Sequence, residues 1–176
     1  MDKQQAGQES TSKLFSNIVT LMVFVLLMGS FIYYFNDSEK DMKYVTMEGL
    51  QQRFARSVEL AHWQWVAEGS PNMIVLVHYS PRPGSKGEPI ESGRSPLQMN
   101  TDGFPRVEAS SEGCEKLWKG VLNIPLSVDG FKVFAEYFSD TGQTEQSTQQ
   151  ICRFRLSVGP RFDYQITNGR VSNVTG

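Results

Sequence analysis

The 176-residue chain contains only two histidines and two cysteines. Neither His62 nor His78 sits in an HExxH pair or in a Cys/His set with zinc spacing, so nothing in the sequence supplies a zinc centre. Each reads as a core or surface histidine. GxSxG elbows and glycine-rich phosphate loops are missing, which removes the usual supports of hydrolases and nucleotide enzymes. The acidic residues are scattered, with no pair suited to general acid–base work. Charge of one sign is lacking too. The formal net charge is −2, without a long run of either sign, so the chain is not the basic body that nucleic-acid binding requires. The expectation is a protein that is not an enzyme and carries no cofactor or metal.

What the sequence does have is one long hydrophobic run. Leu14 to Phe35 holds no charged residue. As a helix it would reach about 33 Å, enough to cross a hydrocarbon core of about 30 Å. Tyr33 and Tyr34 lie at its far end, where amphipathic rings favour the headgroup level. A cleaved signal peptide would have a shorter apolar region and a small-x-small site, whereas this run ends FIYYFNDSE. An uncleaved anchor is expected. Lys3 and Lys13 precede it and Lys40 and Lys43 follow, so the charge bias for orientation is weak. A short tail kept inside is the simpler arrangement, and both cysteines then lie outside. The expected organisation is a cytoplasmic tail at 1–13, a transmembrane helix at 14–35, an amphipathic helix at 36–70 and an α+β periplasmic domain at 71–176.

Beyond the anchor, Met47, Leu50, Phe54, Val58, Ala61 and Trp65 recur at helical spacing and form one apolar stripe over Ser38–Glu68. Gly69 and Pro71 then stop the helix. Whether this helix continues from the anchor or starts anew at Asp37 and Ser38 is open. Met73–Tyr79 reads as a strand, Ser80–Ser95 as an exposed loop and NTDGFP as a turn. Ser111–Leu122 reads as a short helix with Cys114, Leu117, Trp118 and Val121 on one face. Phe131–Phe138 and Ile151–Val158 read as strands, the latter with Cys152, Phe154, Leu156 and Val158 on one face and Arg153 and Arg155 on the other. Asn168–Gly169 between alternating runs predicts a type I′ hairpin. The fold class is α+β: a long N-terminal helix, transmembrane and then amphipathic, packed on four antiparallel strands.

Cys114 and Cys152 invite a disulfide if their side is oxidising; two buried thiols are the alternative. A bridge over this separation would stabilise the fold by about 4 kcal/mol in the chain-entropy model. Trp65 continues the apolar stripe and reads first as packing. Trp63 falls off the stripe, and an exposed tryptophan suits a partner contact. Both are carried forward as candidate partner contacts. Asn173 begins an NVT glycosylation sequon, a weak signal that only some cells read.

The order of these features resembles the type IV pilin superfamily. HWQWVAEGSP is similar to the helix end of the MshF family in the mannose-sensitive hemagglutinin (MSHA) pilus system. NTDGFPRV followed by CEKLWKGVL resembles the pilin-type turn and cysteine–tryptophan helix, and CRFRL with FDYQITNGRV resembles the closing strands. The resemblance covers most of the chain from Phe15 onward. It implies a pilin-like fold, a disulfide between Cys114 and Cys152, and a structural role in building the pilus from the bacterial inner membrane. The implied partners are pilus subunits and inner-membrane assembly proteins. The chain departs from the prepilin pattern: Leu14 precedes Phe15, and Val19 stands where the family has a Glu. Cleavage by prepilin peptidase is therefore not expected, and incorporation as an ordinary filament subunit is in doubt.

Two further function classes stay open. One is a minor pseudopilin of a type II secretion system, for which a cleavable leader is expected. The other is a membrane-tethered periplasmic ligand-binding or sensor module, which needs a pocket with convergent polar groups.

Overall fold

The computed structural model describes residues 3–80, 87–141, 148–157 and 159–176. The chain divides into two compact units, Met1–Met42 and Lys43–Gly176. Helix α1, Lys3–Ala67, contributes to both, so the helical assignment passes through Asp37 and Ser38 without a new start.

In the first unit Phe15–Tyr34 has a mean hydropathy of 2.2 and is long and apolar enough to cross a membrane. Its large apolar side chains are exposed. The Thr20 hydroxyl donates to the Ser16 carbonyl of the same helix at 2.9 Å, which satisfies that polar group within an apolar stretch.

The second unit is α+β. Strands β1 (Met73–Tyr79) and β2 (Glu91–Gln98) pair antiparallel as a two-stranded sheet. Helix α2 (Ser111–Leu122) follows. Strands β3 (Ser127–Val128), β4 (Phe131–Thr141), β5 (Thr148–Leu156) and β6 (Arg161–Gln165) form a second antiparallel sheet in that order. The expected four-stranded antiparallel sheet is present, but its fourth strand is β3 rather than the run after Asn168–Gly169; β1 lies in a separate sheet with β2, which overlaps the segment read as loop. Strand β2 contains Gly93 and Pro96 and little apolar material, so it carries no strand signal of its own. Pairing with the apolar β1 makes it a strand. The Met99 N–H donates to the Asn72 carbonyl, and counting in twos along the ladder puts Val75 and Pro96, which face each other, at a non-hydrogen-bonded position. Proline's missing N–H costs nothing there.

The type I′ turn is also corrected. Asn168 lacks the positive φ that this turn needs; only Gly169 has it, at +70°. Gln165 instead bonds Arg170 across a longer loop, and the final segment joins the sheet through the bridges Tyr164↔Val171 and Arg161↔Thr175. The two-residue turn with both φ positive is Asp129 (+50°) and Gly130 (+82°), between β3 and β4. Strand β5 begins and ends earlier than expected; Val158, assigned to it from the sequence, lies outside the described residues.

Met47, Leu50, Phe54, Val58 and Ala61 of α1 are buried against Cys152, Phe154 and Leu156 of β5, Phe162 and Tyr164 of β6, and the inner face of α2. Phe54 is at the centre, its ring 5.3 Å from Phe154, 5.4 Å from Tyr164, 5.6 Å from Phe162 and 6.4 Å from Trp118. Such tilted aromatic packing gains somewhat beyond area burial. Helix α2 is N-capped by Ser110, whose Oγ accepts from the Gly113 N–H at 3.0 Å. Its C-cap is Asn123 in the left-handed region. A disulfide joins Cys114 on α2 to Cys152 on β5, with Cα atoms 5.5 Å apart. The buried Tyr164 hydroxyl donates to the Pro105 carbonyl at 2.8 Å, and burial raises its pKa.

Candidate interaction surface

The last turns of α1 carry His62, Trp63, Gln64 and Trp65. At about 100° per residue, neighbours in a helix point in separate directions. Trp65 follows the buried stripe: it is half-buried against the core. Its Nε1–H donates to the Pro71 carbonyl at 2.9 Å, just beyond the helix end. The end itself closes with two bonds, Ser70 N–H to Trp65 C=O and Gly69 N–H to Val66 C=O. Gly69 has φ +81°, and the pair of bonds is a Schellman motif. Trp63 points to the opposite side and is 61% exposed. Of the two candidate contacts, Trp63 is presented to solvent and Trp65 serves the packing.

His62 lies between them. Its ring stacks on Phe104 (4.8 Å, 14°) and on Trp65 (5.9 Å, 25°), and meets Trp63 edge-on at 6.0 Å. Its Nδ1 is 3.0 Å from the Gly103 carbonyl. A carbonyl only accepts, so Nδ1 carries the proton.

The NTDGFP turn is thereby clamped to the helix end. Gly103 has φ +77°, and a Cβ there would run into the Trp65 and His62 rings. Asn100 locks the turn from the other side. Its Oδ1 accepts from the Asp102 and Phe104 N–H groups, and its Nδ2 donates to the Ile166 and Thr167 carbonyls, each at 3.0 Å. Phe104 in turn covers Gly169, where any Cβ would meet the ring. Helix end, turn and C-terminal loop thus form one interlocked unit. Beside Trp63 they leave a hollow of about 280 Å³ lined by Glu59, His62, Phe104, Gly169 and Val171. An exposed tryptophan next to a shallow hollow is a geometry that a partner contact could use. The sequence marked Trp63. It marked NTDGFP only as a turn and gave no sign that Asn100 and Phe104 build the support.

On the outer face of the second sheet, Arg153 pairs with Asp163 through two bonds of 2.8 Å, and Arg155 pairs with Glu136 at 2.8 Å. The Arg155 hydrogen bond holds the Glu136 carboxyl below its ordinary value. Arg153 and Arg155 also lie over the Phe138 and Phe134 rings, at 4.8 and 4.7 Å. These cations are occupied within their own sheet. His78 sits in β1 with its Nε2 3.0 Å from the Gly120 carbonyl and 3.1 Å from Ser95 Oγ; burial pushes its pKa down. Among the described residues no three His, Cys, Asp or Glu side chains gather as a metal-binding group.

Compared with known protein families, curated proteins and solved structures, the chain gave no match.

Proposed function

We propose that this protein is a pilin-like component of type IV pilus biogenesis, of the MSHA type, anchored in the bacterial inner membrane and acting by protein–protein contact. Its N-terminus is cytoplasmic and its α+β domain periplasmic. Pilus subunits and inner-membrane assembly proteins are its partners. The observation that carries the reading is the use of one helix, α1: an apolar first part, then a stripe from Met47 to Ala61 buried on an antiparallel sheet. The disulfide between α2 and β5 supports it as well. Trp63 is the contact offered to the partner. Val19, at the family's Glu position, suits a role at the assembly base rather than in the filament.

The test is in-cell crosslinking from a photoreactive residue at position 63. Pilus subunits or assembly proteins among the products are the expected result. Secretion-system pseudopilins would move the assignment to that apparatus. A blank at position 63 and at neighbouring exposed helix positions would overturn the contact reading. Trp63→Ala should abolish the crosslinked complex formed from another helix position while changing stability by only about 0.5 kcal/mol, because the side chain is exposed.

A further inference from the structure

Among the described residues strand β1 has one partner strand, β2. Its other edge faces the side of α1. The residues that turn their backbone groups to that edge are Met73, Val75, Val77 and Tyr79, because the intervening residues bond β2. From α1, Gln64 reaches across, its Nε2 donating to the Val75 carbonyl at 3.0 Å. Farther along, strand and helix diverge, and a cleft of about 560 Å³ opens between them. The β1 residues from Leu76 to Tyr79 line it together with Arg53, Arg56 and Leu60 of α1, and Ser92 of β2 and the segment 122–124 after α2 complete the lining.

The charge of this cleft is one-sided. Among the described residues its lining includes two arginines and His78 and no carboxylate. Both arginines are exposed, and among the described residues neither belongs to an ion pair, in contrast to Arg153 and Arg155. An apolar strand with an open edge pairs readily with another extended chain. Peptide recognition by strand addition uses that edge for affinity and adjacent pockets for choice.

We infer that the cleft between α1 and β1 is a docking site for an extended acidic peptide segment of a partner protein, which adds a strand to the edge at Val77 and Tyr79 and places carboxylates on Arg53 and Arg56. Alternation sets the pattern: one side chain in two faces the arginines, and the others lie over Leu60 and Tyr79. The guanidinium groups accept carboxylates in two-point geometry. The site is separate from Trp63, and the inference does not depend on the pilus reading.

The experiment uses the full chain in detergent micelles and a fluorescein-labelled, acetylated heptapeptide of alternating glutamate and valine, followed by anisotropy. Saturable binding in the micromolar range is expected. An Arg53→Ala/Arg56→Ala variant should lose at least tenfold in affinity, with near-UV circular dichroism unchanged. The same peptide with alternate amides N-methylated should also lose at least tenfold, and an alternating lysine–valine peptide should not bind. No saturable binding of the acidic peptide overturns the proposal, as does equal binding of the lysine peptide. Arginine dependence without sensitivity to N-methylation, or full displacement by millimolar inorganic phosphate, would mean a simple anion site and refute strand addition.

Discussion

Gly169 should be among the least replaceable residues in the second unit, and its cost separates into two parts. The first is backbone strain: φ is +70°, a region that costs an L-residue about 1–2 kcal/mol. The second is steric. A Cβ at this position would overlap the Phe104 ring, which is itself held between His62 and the turn, and forcing atoms into a packed site costs about 1–3 kcal/mol. Gly169→Ala should therefore destabilise by about 2–5 kcal/mol. Gly130 provides the control. Its φ is similar, +82°, and nothing lies within 4 Å of its would-be Cβ, so Gly130→Ala carries the backbone part alone. The unfolded-chain effect of replacing glycine is common to both and cancels in the comparison. At about 4 °C per kcal/mol for a domain of this size, thermal unfolding should show Gly169→Ala melting about 4–12 °C below Gly130→Ala. Combining Gly169→Ala with Phe104→Ala should recover part of the loss, giving a coupling energy of about 1–3 kcal/mol in a double-mutant cycle. Equal midpoints for the two glycine variants, or strict additivity with Phe104→Ala, would refute the interlock of helix end, turn and C-terminal loop.

Cys114→Ser removes a bridge that spans a sequence separation of 38 and should cost about 4 kcal/mol under oxidising conditions; equal midpoints for variant and parent would remove the bridge from the stability argument. Asn100→Ala deletes the donor to two carbonyls and the acceptor of two N–H groups, with an expected loss of about 1–3 kcal/mol read by chemical denaturation; a smaller loss than that of Gln52→Ala, an exposed control, would contradict its hub role. His78 has its pKa lowered from 6.5 by burial, so the unfolded chain takes up this proton at higher pH than the folded one. Its contribution is full above about pH 6.5, falls as pH drops through that value and levels off below the folded pKa. Midpoints recorded from neutral to pH 5 should show a fall in the parent that His78→Gln reduces; parallel curves would place the sensitivity elsewhere.

Strong local signals were readable from the chain. The bounds of β1 and α2 agree with the sequence reading because each is an apolar pattern closed by turn or cap residues. The stripe from Met47 to Ala61 marked the buried side of α1 for the same reason. Strand β2 was not readable, since Glu91–Gln98 becomes a strand through its partner rather than through its own residues. The two turns show how context decides between similar signals. Asn168–Gly169 and Asp129–Gly130 both promise a tight hairpin, and only the latter forms it, while Gly169 is drawn under Phe104 by contacts distant in sequence. Trp63 stood out because it broke a period. Arg53 and Arg56 did not, since a pair of arginines on a helix becomes notable only when a strand edge opens opposite them.

The placement of the disulfide has a mechanical consequence. It ties α2 to β5, within the stretch from Cys114 to Cys152, and includes no part of α1. Tension entering the second unit through α1 therefore bypasses the covalent link. It falls on the packing of Met47, Leu50, Phe54, Val58 and Ala61 and on side-chain bonds such as Gln51 to the Ser172 carbonyl at 3.1 Å. Under load the helix would peel away first, while the bridged part of the sheet kept its shape and could receive the helix again when the force dropped.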